Sequence, residues 1–447
     1  MKLFIETMGC PKNFNDSEGI GGIWEKAGMS LTDDLAEAEV ILVNTCGFIN
    51  DAKKESIDRI FDMARFIEEC QEIEPDKDKK ILIVSGCLSE RYGKELFEEM
   101  PEVDIFMGVN DYEKLPEIVE NFKKGQRQQA FSCQPEAFVE FSARKIVDNP
   151  YTSTLRIAEG CNNRCAYCVI PHIRGGFRSR PIEKIIEEAE VLVSKGCKEL
   201  ILVAQDVTEY GRDLYGELKL PYLLRELCKI DDLKWIRLMY CYEDKITDEL
   251  IEVMASEEKI CNYIDIPLQH ISDPVLKGMN RHSTNASIVD TIYRLREAIP
   301  DIHIRTTLIV GFPGETEEDF DELLDFVEGM CLERLGVFAY SREEGTPAGD
   351  REDQIDDEIK AARADAVMRR QLDISREINE TKLGNKLEVM VEDIDEEGAY
   401  IARTQYDAPE IDNTVIFKSD KELVPGDFVK VVITDAFDYD LVGRVED

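Results

Sequence analysis

Cys161-Asn-Asn-Arg-Cys165-Ala-Tyr-Cys168 places three thiols within eight residues, just beyond a short apolar run at 154–157. Three cysteines this close can wrap an iron-sulfur cube and ligate three of its irons, because thiolates are soft ligands suited to iron-sulfur chemistry. The fourth iron is then left without a protein ligand. A cluster built for electron transfer has all four irons held by cysteine, so a three-cysteine loop reserves a coordination position for a substrate or cofactor. Structural zinc would need a fourth ligand at a second short spacing, and no CxxC or HxxxH follows nearby. His172, four residues past Cys168, is too close to complete a familiar zinc module. The remaining reading is of small buried hydrophobes.

Working outward from the loop, apolar runs at 154–157, 200–203, 235–239, 263–266, 303–310 and 335–339 alternate with helical stretches. One such helix, over 182–195, carries Ile185, Ile186, Ala189 and Val193 on one face and meets Gly196 as its stop. Six βα units predict an incomplete parallel barrel, with the cysteine loop after its first strand at the carboxyl mouth, where barrel chemistry sits. Other strand-end segments share that mouth: Ala204-Gln205-Asp206, Pro267-Leu-Gln269-His270 and Gly311-Phe-Pro-Gly-Glu315. The last is not a Walker loop, since no Gly-Lys-Ser/Thr follows, and residues 316–319 read as the cap of the next helix. His270 and His282 receive no role. Arg174, Arg178 and Arg180 read either as partners for a carboxylate near the open iron or as surface arginines.

Upstream, runs at 3–5, 40–43, 81–84 and 104–107, with helical stretches such as 57–67 between them, predict an open parallel α/β sheet over residues 1–130. Cys10, Cys46 and Cys87 each lie just past the carboxyl end of one run. In such sheets those ends line one crevice, so three thiols far apart in sequence can converge on a second metal site. Position alone equally allows small residues in the tight turns Gly9-Cys10 and Gly86-Cys87. Residues 125–150 lose periodicity, and a connector at 131–150 leads into the barrel domain at 151–380. Cysteines 70, 133, 197, 228, 241, 261 and 331 share no spacing and read as core thiols.

Residues 351–382 read as one long helix with Ile355, Ile359, Ala362, Ala366, Ile374 and Ile378 at helical spacing, ending at Gly384. Short runs at 387–391, 400–403, 415–418 and 428–434, punctuated by Pro425-Gly426, predict a small all-β barrel over 381–447. That last domain holds seven Lys or Arg against seventeen Asp or Glu, within a chain of 447 residues whose net charge is −40. Such a surface repels phosphates and suits a basic polypeptide, although acidity can also serve solubility alone. No apolar run approaches the ~20 residues that span a bilayer, and the start, Met-Lys-Leu-Phe-Ile-Glu, lacks a signal-peptide profile. Thirteen cysteines without such a signal indicate a reducing compartment, and a cytoplasmic protein is expected.

The cysteine loop, with aromatic Tyr167 before its last cysteine, resembles the signature of the radical S-adenosylmethionine (SAM) enzymes. Met8-Gly-Cys-Pro-Lys-Asn13 with Asp16-Ser-Glu18, Asn44-Thr-Cys-Gly-Phe48 and Ser85-Gly-Cys-Leu88 resemble the three cysteine motifs of the methylthiotransferase N-terminal domain, and the final barrel resembles a TRAM domain. In order, these cover the whole chain as a radical SAM methylthiotransferase would. The resemblance implies a SAM-binding 4Fe-4S cluster on Cys161, Cys165 and Cys168 and a second 4Fe-4S cluster on Cys10, Cys46 and Cys87. It implies SAM contacts from Tyr167, Gln205, Gln269 and Gly311, no catalytic side-chain acid or base, and an electron donor such as a flavodoxin or ferredoxin. The sulfur donor is left open. Gly9-Cys-Pro-Lys-Asn13, Phe338-Ala-Tyr-Ser-Arg-Glu-Glu-Gly-Thr-Pro347 and Tyr406-Asp-Ala-Pro-Glu-Ile-Asp412 resemble the branch that methylthiolates an aspartate on the twelfth protein of the small ribosomal subunit. The transfer RNA branch has Gly-Cys-Gln-Met-Asn at the first motif, and its TRAM domain is basic. The alternatives are an adenosine methylthiotransferase of transfer RNA with the same chemistry and a non-catalytic iron-sulfur carrier, which the three-cysteine count at both sites disfavours.

Overall fold

The N-terminal alternation builds an all-parallel sheet of β1 (Lys2–Thr7), β2 (Ser30–Leu31), β3 (Val40–Thr45), β4 (Ile81–Gly86), β5 (Ile105–Met107) and β6 (Gln128–Ala130). Its order is β2-β1-β3-β4-β5-β6 in this computed structural model, which describes residues 1–122, 126–146 and 149–445. Residues 125, 147 and 148, on which the expected connector partly falls, and the last two of the chain lie outside the described residues. Period-2 alternation sends Ile41 and Val43 to one face, against Ile60, Met63 and Ile67 of the helix Asn50–Ile73. Val40 and Leu42 face the other way, against Ile20, Ile23 and Trp24 of the helix Pro11–Lys26. Burial on both faces is why these strands read as continuous apolar runs. The edge strands β2 and β6 went unread because two or three residues show no periodicity, and β6 lies in the stretch read as irregular.

The next strand, β7 (Thr152–Arg156), opens a second parallel sheet. The pair β8 (Ala158–Glu159) and β9 (Arg178–Ser179) then runs antiparallel around the cysteine loop. The second sheet continues with β10 (Glu199–Val203), β11 (Trp235–Leu238), β12 (Ile260–Asp265), β13 (His303–Val310) and β14 (Arg334–Ala339), in the order β14-β13-β12-β11-β10-β7. The six strands stay an open array, as six βα units predict. Helix Ile182–Ser194 buries Ile185, Ala189 and Val193 and gives way to Gly196, whose φ of 107° is a left-handed stop. The long C-terminal helix is shorter than its periodicity suggested. It spans Asp357–Glu380, because the Asp356 carboxylate accepts the Glu358 N–H and caps the helix there.

The last domain is a closed barrel of β15 (Lys386–Ile394), β16 (Tyr400–Thr404), β17 (Val415–Lys418), β18 (Phe428–Ala436) and β19 (Leu441–Val445) around Val389, Val391, Ala402, Phe417, Val431 and Ile433. The sequence hid β19 because Gly443 breaks its alternation, yet a Cβ there would lie 2.4 Å from Val431 Cγ1. This barrel packs on the second sheet through Met390, Ala408, Trp235 and Tyr263. Charged side chains complete the contact: Glu199 takes Arg237 at 2.7 Å and Arg403 at 2.5 Å, Arg334 pairs with Asp407 at 2.5 Å, and Tyr263 Oη donates to Asp412 at 2.7 Å. The Tyr406–Asp412 stretch thus earns its sequence by docking the barrel.

Packing groups Met1–Asn149, Ala158–Arg180 and Ser341–Gly349 into one compact unit and Pro150–Ile157, Pro181–Tyr340 and Asp350–Asp447 into a second. Both cysteine triads therefore belong to the first unit. The thiols read as core divide: Cys197, Cys241 and Cys261 are buried, but Cys133 and Cys331 are exposed. Cys331 is the left-handed C-cap of the helix Glu317–Met330, a surface position that spacing could not announce. Among the described residues no helix is long and apolar enough to cross a membrane.

Candidate functional site

Parallel register sets the N-terminal triad, since Thr7 pairs with Asn44 and Thr45 with Gly86, aligning three strand ends. Cys10 is the N-cap of the helix Pro11–Lys26, Cys46 follows β3, and Cys87 is the first residue of the helix Cys87–Glu99. The loops nest closely enough to require glycine. A Cβ on Gly9 would lie 2.8 Å from Cys46 Cβ and 3.2 Å from its Sγ, and one on Gly47 would lie 2.7 Å from Leu88 Cα. Asn13 ties the loops together by donating to the carbonyls of Met8 at 2.7 Å and Thr45 at 3.1 Å. Ser56 Oγ accepts the Cys46 N–H at 3.1 Å and donates to its carbonyl at 2.9 Å. Burial pushes the Cys46 thiol up to about 11 and raises that of Cys87, which Arg174 opposes. Coordination to a metal is what deprotonates such thiols.

Arg174 overturns both sequence readings of the arginines. It is buried, with Nη1 2.7 Å from Asp16 Oδ2 and Nη2 3.3 Å from Cys87 Sγ and 3.2 Å from Asn13 Oδ1. Arg178, also buried, donates to the carbonyls of Gly176 and Arg174, and Arg180 pairs with Glu140 at 2.6 Å. A loop this rich in backbone turns needs donors for its carbonyls, and Arg178 supplies two of them. Lys12, two residues after Cys10, pairs at 2.5 Å with Glu159, two residues before Cys161. Ion pairs thus join the segments that carry the two triads.

The Cys161 loop is closed by β8 and β9, by the Cys161 N–H donating to Gly175 O at 3.1 Å, and by the Cys168 N–H donating to Cys165 O at 3.0 Å. Gly160 has φ 79°, and a Cβ there would stand 2.1 Å from Gly176 O. Asn163 aims its backbone N–H and its Nδ2 at Cys161 Sγ, each at 3.5 Å, and the Ile170 N–H meets Cys168 Sγ at 3.4 Å. Amide donors on sulfur are how a protein stabilises and tunes thiolates on iron. Cys161 and Cys165 are buried, Tyr167 is half-buried, and burial raises the Cys168 thiol. The segment Ser341–Gly349 straps this loop, with the Ala348 N–H on Ala166 O at 2.9 Å. It is anchored by buried Glu343, which takes Lys53 and Arg91 at 2.8 Å each, from the helices after Cys46 and Cys87. Among the described residues no three His, Cys, Asp or Glu side chains are gathered as a single-ion cage. Thiolates of a cube sit on separate irons and have no need of one.

The other expected cofactor contacts lie in the second unit. Gln269, at φ 70°, bridges to Leu308, its N–H on Thr307 O at 2.9 Å and its carbonyl taking the Ile309 N–H at 2.7 Å. Its buried Oε1 has no hydrogen-bond partner among the described residues. Gly311 owes its identity to local packing, since at φ 72° a Cβ would lie 2.3 Å from Lys360 Cγ. Its N–H donates to Glu315 Oε2 at 2.7 Å, so that amide is already engaged. Gln205 is half-buried just past β10, with β11 lying between β10 and the strand that leads to Gln269. Burial holds His270 down to about 4, and its Nδ1 accepts the Ser272 N–H at 3.0 Å, a structural posture. Sequence reasoning singled out Arg174 but not its partners Asp16 and Cys87, and it missed Lys12–Glu159 and Glu343 as parts of the site. Lys12, Asp16 and Glu343 did lie inside motifs that resembled the family, which was the one available signal.

Comparison with known proteins fits this geometry. Residues 155–327 match the radical SAM superfamily, 2–108 the uncharacterized protein family UPF0004, and 383–445 the TRAM domain. The fold resembles the radical SAM methyltransferase TsrM of Kitasatospora setae with a TM-score of 0.55 at 14% identity, covering 78% of this chain and 74% of that one. Together these define a radical SAM protein carrying a TRAM domain, and that superfamily implies a 4Fe-4S cluster and SAM. The ribosomal protein uS12 methylthiotransferase RimO of Lachnoclostridium phytofermentans is 47% identical over 447 residues, 100% of both chains. That of Caldanaerobacter subterraneus is 49% identical over 440 residues, 98% of this chain and 99% of the other. The chain belongs to the RimO family of radical SAM methylthiotransferases.

Proposed function

We propose that the protein adds a methylthio group to the β-carbon of an aspartate in ribosomal protein uS12, working in the cytoplasm. The observation that carries this reading is full-length identity of 47–49% to uS12 methylthiotransferases, across all three domains. In this reading Cys161, Cys165 and Cys168 hold the 4Fe-4S cluster that binds SAM, and Cys10, Cys46 and Cys87 hold a second. When bound, the clusters and SAM supply one-electron cleavage of SAM to an alkyl radical and delivery of sulfur, chemistry beyond any side-chain base.

The chain's own residues bind, orient and enclose. Asn163 and the Ile170 amide donate to the sulfurs of Cys161 and Cys168, and Ser341–Gly349 covers the loop. Tyr167, Gln205, Gln269 and Gly311 are the proposed SAM contacts, Gln269 through its unpartnered Oε1 and Gly311 through its turn, its amide being taken. No side chain is asked to act as acid or base. A net charge of −40, with seventeen acids against seven bases after residue 380, suits a basic ribosomal protein or the ribosome as partner. The electron enters from a small donor such as a flavodoxin or ferredoxin. In cells lacking the gene, uS12 is expected to lose the mass of one methylthio group while transfer RNA keeps its methylthioadenosine, as read by mass spectrometry. The reverse pattern would assign the protein to transfer RNA.

A further inference from the structure

Arg174 belongs to the segment that carries Cys161–Cys168, yet its guanidinium is spent on the other triad. Nη2 stands 3.3 Å from Cys87 Sγ, and Nη1 is fixed at 2.7 Å by Asp16. The side chain is 5% exposed, and Asp16 is fully buried, so neither is screened by water. Glu159 adds a contact at 3.8 Å to Nη1 and is itself held by Lys12 at 2.5 Å. A guanidinium keeps its proton throughout the accessible pH range, and the Asp16 and Glu159 carboxylates stand against this one at 2.7 and 3.8 Å. A fixed cation donating to a ligand sulfur stabilises the more negative, reduced form of an iron-sulfur cluster.

We propose that Arg174 is a positioning residue that sets the reduction potential of the N-terminal cluster, so that the segment holding one cluster tunes the other. This rests on the reading that Cys10, Cys46 and Cys87 hold a cluster. The buried guanidinium has two employments: Nη1 anchors Asp16, and Nη2 is shared between Asn13 Oδ1 at 3.2 Å and the Cys87 sulfur at 3.3 Å.

The test uses the full chain with Cys161, Cys165 and Cys168 changed to alanine, reconstituted anaerobically so that only the N-terminal cluster is present. Iron content is measured first, and absence of iron in this parent refutes the ligand reading itself, apart from any effect of Arg174. The midpoint potential is then read by EPR during titration with dithionite. Arg174→Gln is expected to lower it by about 59 mV or more, a tenfold change in the reduced-to-oxidised ratio of a one-electron couple. Arg174→Lys, which keeps charge without the fork, should fall between. Because Arg174→Gln leaves Asp16 unpaired and adds its uncompensated negative charge, Asp16→Asn with Arg174→Gln removes both charges and should lower the potential less than Arg174→Gln alone, while keeping it below the parent because the donor to Cys87 Sγ is gone. An unchanged midpoint in variants that keep their iron overturns the proposal. So does loss of iron from all three, which would give Arg174 a purely structural part.

Discussion

Changing Cys161, Cys165 and Cys168 together to alanine is expected to halve the iron of anaerobically reconstituted protein, from about eight to about four atoms per chain. SAM cleavage should fall to the uncatalysed background. The expectation follows from the separation of the ligand sets. The Cys161 loop is closed on itself by β8, β9 and backbone bonds from Cys161 and Cys168. The N-terminal triad instead springs from β1, β3 and β4, whose register is fixed by the sheet core. Removing three small thiols from the loop leaves that sheet untouched. Arg174, Lys12 and Glu159 remain to hold the loop against it. Retention of no iron would mean that Cys10, Cys46 and Cys87 hold no cluster of their own, and retention of all of it would mean that Cys161, Cys165 and Cys168 are not ligands.

Glu199→Ala should be the costliest single substitution outside the cysteines, at about 3–5 kcal/mol measured by urea denaturation. Glu199 begins β10 with no exposed surface and receives Arg237 of β11 at 2.7 Å and Arg403 of the C-terminal barrel at 2.5 Å. Truncation leaves the buried Arg237 guanidinium without its carboxylate and Arg403 with Glu392 alone, and opens the seam between sheet and barrel. Burial alone would push the Glu199 carboxyl up, but Arg403 and Arg237 outweigh it and bring it down to about 2 from an ordinary 4.5. With the folded value depressed, the pair's contribution is complete above pH 4.5 and is lost as pH falls toward 2. The cost of Glu199→Ala should therefore shrink between those values, and a cost that is small at pH 7 would show that the barrel docks by its apolar residues alone.

Strands such as β3 and β10 were legible because four or five successive apolar residues buried on both faces leave a run that nothing else imitates. Strands β2, β6 and β19 were not, being too short or broken by glycine for a period to register. The cysteine triads were legible for different reasons, one by spacing and the other by strand ends and resemblance. What tied their segments together was not legible. Arg174 touches Cys87 across 87 positions and Glu343 reaches Arg91 across 252, and no local pattern encodes partners that distant. At Gly311 the fold adds a local reason for the glycine that the sequence did not show: Lys360 crowds its Cα and Glu315 takes its N–H. The acidic character of the last domain was plain from composition, but only the fold shows Asp407 and Asp412 turned inward to dock it.

The most direct measurement is anaerobic turnover of the reconstituted protein with SAM, dithionite and either uS12 or bulk transfer RNA, reading product masses. One methylthio group gained on a uS12 aspartate, with the RNA unchanged, is the predicted result. A methylthio group on the RNA alone, or SAM consumed with neither substrate altered, would contradict it.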